Sequence, residues 1–194
     1  MLSKSELDKL RQDSIVQSNM HDVPLTLHTT WGIFSPRQID EGTELLLKYI
    51  EVKPEDDCLD LGCGYGPIGL TLAKLAPQGH TTLVDRDFIA IEYSQKNIKH
   101  NNITNAEALL SNGFNQIRDR KFDIVVSNIP AKVGNEMLTL FLHDAYQQLK
   151  PGGKLYVVTI NGLRDYMKRN FKEVFGNYKK LKQGKNYTVA MAMK

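Results

Sequence analysis

Two short stretches of this 194-residue chain combine residue types that serve chemistry better than they serve folding. The first is Asp60-Leu-Gly62-Cys-Gly64-Tyr-Gly66-Pro-Ile-Gly69. Glycines at this density let the backbone take φ > 0 and approach a ligand closely. A helix behind them offers free N–H groups and a partial positive end of about half an elementary charge. The second stretch is Val126-Ser-Asn128-Ile129-Pro130-Ala131-Lys-Val-Gly134, which closes the apolar run FDIVVS. An amide beside a stiff ring there is either a strand-end turn or a side chain held out to touch a substrate.

The glycine loop admits two ligand classes. Gly64-x-Gly66-x-x-Gly69 matches the dinucleotide fingerprint, in which a pyrophosphate sits on the helix N-terminus. The overlapping pattern Asp60-x-Gly62-x-Gly64-x-Gly66 puts an acid just before a glycine triplet. That arrangement suits a zwitterion, with the acid facing an ammonium and backbone N–H groups facing a carboxylate. Asp85 ends LVDRD, about 20 residues on, where a carboxylate takes the ribose hydroxyls of an adenosine cofactor. Asn112, in SNGF, can both donate and accept.

The Asp60–Gly66 pattern resembles motif I of class I S-adenosylmethionine-dependent methyltransferases. Asn128-x-Pro130-x-x-x-Gly134 before a long helix, with Gly32-Ile33-Phe34-Ser35-Pro36 upstream, is similar to the ribosomal RNA small-subunit methyltransferase C family. That family makes N2-methylguanine, and the likeness runs over residues 24–194. The resemblance implies S-adenosylmethionine as cofactor and structured RNA as substrate. It implies cofactor contacts from Asp60, Gly62, Gly64, Gly66 and Asp85, from Asn112 at the adenine edge, and from Phe34 in a loop over the cofactor. Catalysis then falls to Asn128, whose side-chain oxygen accepts from an exocyclic amine. Pro130 fixes its own φ and restricts Ile129, so that a nearby carbonyl points consistently. Ile129 and Ala131 depart from the Pro and aromatic of the amino-methylating pattern, so another ring must stack on the base; Phe34, Trp31 and Tyr187 are the candidates. A sulfonium is already activated, so no metal is expected. Two other readings stay open at this point: methyl transfer to another amine (a protein glutamine amide or a small metabolite), and a nucleotide-binding oxidoreductase or silent RNA-binding module.

These residues need elements to hold them. Apolar runs at 58–61, 80–85, 106–111, 122–127 and 154–160 read as strands, and LTLHTT (25–30) alternates like a short one. Helical patterns fill 39–50, 68–76, 88–102, 136–150 and 163–176, and residues 3–20 carry a weaker one. Such alternation predicts an α/β, doubly wound, mostly parallel sheet. The segments YKKLKQ and NYTVAMAM, split by Gly184-Lys185, predict a C-terminal antiparallel hairpin. The expected organisation is an N-terminal helix/strand cap over 1–40 and a methyltransferase domain over 41–194.

Composition agrees with one soluble domain: 41% hydrophobic, 24% charged, formal charge +3. No apolar run approaches the ~20 residues of a membrane span. The polar N-terminus lacks a signal-peptide core. Two cysteines, Cys58 and Cys63, make neither a zinc ribbon nor a disulfide framework. A cytoplasmic location follows. Basic residues near loop tips (Arg37, Arg86, Lys132, Lys185) suit phosphate contacts. The longer two-domain enzymes carry a second, cofactor-free half, so either a homodimer or the N-terminal cap is expected to extend the RNA contact.

Overall fold

The computed structural model describes residues 3–6, 12–131 and 133–194. After a helical stretch at 4–6, β1 (Ser14–Met20) and β2 (Val23–Thr29) form an antiparallel hairpin that is its own two-stranded sheet. Next come α1 (Glu41–Leu47), β3 (Cys58–Leu61), α2 (Pro67–Leu75), β4 (Thr81–Asp85), α3 (Phe88–His100) and β5 (Ala106–Leu110). They are followed by β6 (Phe122–Asn128), α4 (Asn135–Gln148), β7 (Leu149–Ile160), α5 (Arg164–Phe175), β8 (Lys179–Gln183) and β9 (Tyr187–Met193).

Seven strands form one sheet in the order β5-β4-β3-β6-β7-β9-β8. Pairs from β5 to β7 are parallel, and β9 joins β7 and β8 antiparallel. The expected mostly parallel sheet with an antiparallel C-terminal hairpin is what the chain adopts. Alternation along the central strands sorts the core into two faces. Ile124, Val126, Tyr156 and Val158 pack with α1 and α2 through Leu46, Leu47, Ile68 and Leu72. Val125, Leu155 and Val157 pack with α4 and α5 through Leu142, Met167 and Phe171. The winding direction reverses between β3 and β6, and ligands of open α/β sheets bind beyond the strand ends at such a point.

The helix expected over 3–20 is corrected in its second half: residues 4–6 are helical, residues 14–20 are strand β1, and Leu7 and Leu10 lie outside the described residues. Only Val16 and Ser18 of β1 are buried, while Ile15 is 59% exposed. Their two-residue spacing fits a strand, and His21 and Asp22 both take positive φ, as a type I′ hairpin turn needs. A smaller shift concerns Pro151-Gly152-Gly153, which lies inside β7; α4 already ends at Gln148.

The outer edge of β2 is capped by side chains. Asn97 accepts the His28 amide at 2.7 Å and donates to the His28 carbonyl at 2.8 Å. Asn101 does the same for Thr26, at 2.9 Å each way. Four residues of helix rise about 6 Å and two residues of strand about 6.7 Å, so the two carboxamides of α3 replace a neighbouring strand. This fastens the hairpin to α3. Among the described residues no helix is long and apolar enough to cross a membrane.

Candidate active site

The glycine loop leaves the C-terminal end of β3. The amides of Gly62 and Cys63 donate to the Val84 carbonyl at 2.8 and 3.1 Å, pinning the loop to β4. Helix α3 holds it from behind: Ser94 Oγ donates to the Gly64 carbonyl and Asn97 Nδ2 to that of Tyr65, each at 2.8 Å. Gly62 and Gly64 have positive φ, and a Cβ at either would meet nothing within 4 Å. Their open side therefore faces a crevice, which side chains there would fill. Gly69 has a different job. A Cβ there would lie 2.4 Å from Leu83 Cγ, so this glycine lets α2 pack on β4.

Asp60 is 1% exposed. Its Oδ2 accepts the Gly69 amide at 2.8 Å, which caps α2 from the strand behind it. Its Oδ1 is buried with no partner. Burial pushes the carboxyl up to about 7; the nearby Asp85 charge adds to this, while the Gly69 amide opposes it. An acid in this state is short of a cation. The expected ammonium of a zwitterionic cofactor fits it; the backbone N–H groups expected to face a carboxylate are instead spent at Gly62, Cys63 and Gly64 on Val84 and Asp85, so the glycines contribute space and not donors. Asp85 holds the Gly64 amide at 3.0 Å on Oδ2 and the Asp87 amide at 2.9 Å on Oδ1. Each carboxylate oxygen keeps a second lone pair for a ligand hydroxyl. Leu110 pairs with Asp85, and the chain continues through buried Ser111 to exposed Asn112. Tyr65 reaches from the glycine loop to the Ser35 and Gln38 carbonyls at 3.3 and 3.4 Å, tying the 31–38 loop to it. Phe34 and Trp31 stand on that loop, 64% and 59% exposed.

Asn128 ends β6, beside β3 across the sheet; Ser127 Oγ donates to the Leu61 carbonyl at 2.7 Å and joins the two strand tips. Asn128 Nδ2 donates to Asp40 Oδ2 at 2.8 Å and to Thr43 Oγ1 at 3.0 Å. Asp40 is also the N-cap of α1, accepting the Gly42 and Thr43 amides. Its Oδ1 accepts the Tyr187 hydroxyl at 3.2 Å. Gly42 leaves room for that ring, since a Cβ there would sit 3.0 Å from it. A carboxylate can only accept, so Nδ2 must face Asp40 and Oδ1 of Asn128 must face away.

The Ile129 departure has a structural reason. Its amide donates to the Val158 carbonyl at 3.0 Å, a bond proline cannot make, and its side chain packs in the core with Leu61 and Leu138. Pro130 is exposed just beyond. Sequence reasoning placed the glycine loop, Asp85 and Asn128 at one end of the sheet but missed Asp40 and Thr43. The only signal was Asp40's place as a helix N-cap; its bond to a residue 88 positions away leaves no trace in local pattern.

The profile of the methyltransferase small domain family matches residues 24–191. The chain belongs to that family. The methyltransferase expectation is thereby met, and the dinucleotide reading of the glycine loop is set aside. The chain is 34% identical over 170 residues to the ribosomal RNA small subunit methyltransferase C of Hamiltonella defensa, covering 86% of this chain and 49% of that one. It is 29% identical over 178 residues to the ribosomal RNA large subunit methyltransferase G of Cronobacter sakazakii, covering 88% and 47%. Among solved structures, the T. thermophilus 16S rRNA N2 G1207 methyltransferase, in complex with AdoMet and guanosine, aligns with a TM-score of 0.85 at 28% identity. That alignment covers 94% of this chain and 50% of the other. The chain spans about half the length of the curated relatives it matches.

A cleft of about 420 Å³ lined by Glu51, Lys53, Asp123 and Pro151–Gly153 opens at the opposite end of the sheet. It lies at the strand starts, away from the methyltransferase crevice, beside the ion pairs of Lys150 with Asp57 and Asp123.

Proposed function

We propose that this methyltransferase transfers a methyl group from S-adenosylmethionine to N2 of guanine in structured ribosomal RNA. The observation that carries the reading is the locked amide of Asn128: its Nδ2 is spent on Asp40 and Thr43, which leaves Oδ1 as the acceptor at the strand tip. The names of the relatives, and the guanosine bound by the T. thermophilus enzyme, support the base and the polymer.

The cofactor supplies an activated methyl on a sulfonium. Asp60 Oδ1 would meet its ammonium and Asp85 its ribose, while the side-chain-free faces of Gly62 and Gly64 leave it room. Asn112 would meet the adenine edge, and Phe34 would cover it. An exocyclic base amine is a poor nucleophile because its lone pair is delocalised into the ring. Asn128 Oδ1 accepts one amine hydrogen and a carbonyl near Ile129 accepts the other. The lone pair is then freed, and the positive charge that develops on nitrogen is stabilised. Holding the amine in line with the methyl accounts for much of the rate, since effective molarities of aligned groups reach ~10⁵ M or more. Tyr187, bonded to Asp40, and the exposed rings of Trp31 and Phe34 are the candidates to hold the flat face of the base.

Asn128→Ala tests the role directly. Turnover falls by about 10²–10³, the usual effect of removing one preorganised polar group at developing charge. Cofactor affinity by calorimetry stays within about twofold. Unchanged turnover would reduce Asn128 to a turn residue.

A further inference from the structure

The sheet edge opposite β5 holds the chain's positive charge. Between residues 161 and 186 the sequence has eight Lys or Arg and two Asp or Glu, a net +6. The whole chain has 25 against 22, so everything else has 17 against 20, a net −3. In three dimensions these cations line the edge formed by α5 and β8: by register Lys180 lies on the α5 face with Ala190, and Lys182 on the other face of the strand with Val189. Arg164 at the start of α5 and Lys180 of β8 both donate to Gln183 Oε1, at 3.4 and 3.3 Å, joining helix and edge strand. Lys168, Lys172, Lys180, Lys182 and Lys185 are all exposed. Among the described residues none of them is in an ion pair.

The surface leads to the active site. Lys185 sits in the β8–β9 turn, and Asn161 Nδ2 donates to its carbonyl at 2.9 Å. Next to it, Asn186 bonds Glu41 at 3.0 Å, and Tyr187 bonds Asp40, the partner of Asn128. Lysines on an edge strand commonly guard against strand pairing between molecules. That role explains β8 but not the cations of α5, a helix with no open edge. A row of unpaired cations on strand and helix, in a chain otherwise net negative, matches a polyanion.

We infer that the β8 edge and the exposed side of α5 form the docking track for the RNA backbone, which feeds a base past Lys185 to Asn128. This rests on the RNA reading above. Phosphate contacts there supply register and affinity, and sequence is read at the crevice.

The test uses the full chain, a fluorescein-labelled RNA hairpin and anisotropy across a KCl series. Lys180→Glu/Lys182→Glu is compared with Lys53→Glu/Lys99→Glu, two exposed lysines elsewhere with the same change in net charge. Calorimetry with S-adenosylmethionine confirms that each variant is folded. The β8 variant binds RNA at least tenfold more weakly, and its slope of log K against log salt is shallower by about 0.9 for each phosphate it no longer neutralises. The control pair stays within about twofold of the parent. Equal weakening in both variants, or none in the β8 variant, would overturn the track and leave the RNA reading standing. A parent chain that binds cofactor but no hairpin at low salt would overturn both.

Discussion

In the proposed mechanism Asn128 serves methyl transfer in only one of its two amide orientations. Asp40 selects it because a carboxylate has nothing to donate. Asp40→Asn separates this role from helix capping, since Asn caps as well as Asp. Its melting temperature is expected to stay near the parent's, while turnover drops by about tenfold (~1.4 kcal/mol) and cofactor affinity holds. An unchanged turnover would show that the amide is held by other means. At Asp60 the chemistry is one of protons. The folded, cofactor-free carboxyl keeps its proton to about 7, whereas an unfolded chain releases it near pH 4. Stability from this group is therefore full in acid and is lost as pH rises between those values. An ammonium against Oδ1 favours the ionised form. Cofactor binding should then release close to one proton at about pH 6 and fewer as pH rises, turning to net uptake near pH 8 where the free α-amino group is itself partly deprotonated, read by calorimetry in buffers of different ionisation enthalpy. No release at the lower pH would mean that Asp60 only caps α2. The motif made Asp60 and Asn128 legible. The partner of Asn128 was not, because Asp40 reaches it across the fold, 88 positions away.

The elements were legible wherever burial leaves a pattern. Continuous apolar runs marked β3, β4, β6 and β7, which are covered on both faces. Of the N-terminal hairpin, β2 was legible from the alternation of LTLHTT, but β1 was not, because its two buried residues are too few to show alternation. The hairpin's attachment to α3 rests on polar side chains, which carry no periodic signal. Asn97→Leu removes the bonds to His28 and Tyr65 and strands their buried backbone groups. A destabilisation of about 2–4 kcal/mol in denaturant unfolding is expected. A change below about 0.5 kcal/mol would show that the hairpin is held by apolar packing alone. Gly69→Ala should also destabilise, by about 1–3 kcal/mol, as Leu83 is displaced. Cofactor affinity should survive it better than Gly62→Ala, where the glycine faces the crevice.

At the scale of the molecule, one end of the sheet carries the crevice and one side edge carries the charge. Net charge alone, at +3, understated this, because the acidic remainder masks a local +6. The proposed track places on the C-terminal hairpin and α5 the binding surface that the sequence reading sought in the N-terminal cap or a second copy. The base, the polymer and the amine all meet in one measurement. Tritiated S-adenosylmethionine is incubated with the chain and ribosomal RNA from a strain lacking it, followed by digestion to nucleosides. The account predicts label in N2-methylguanosine and its disappearance with Asn128→Ala. Label confined to protein, to small molecules or to any other nucleoside would contradict it.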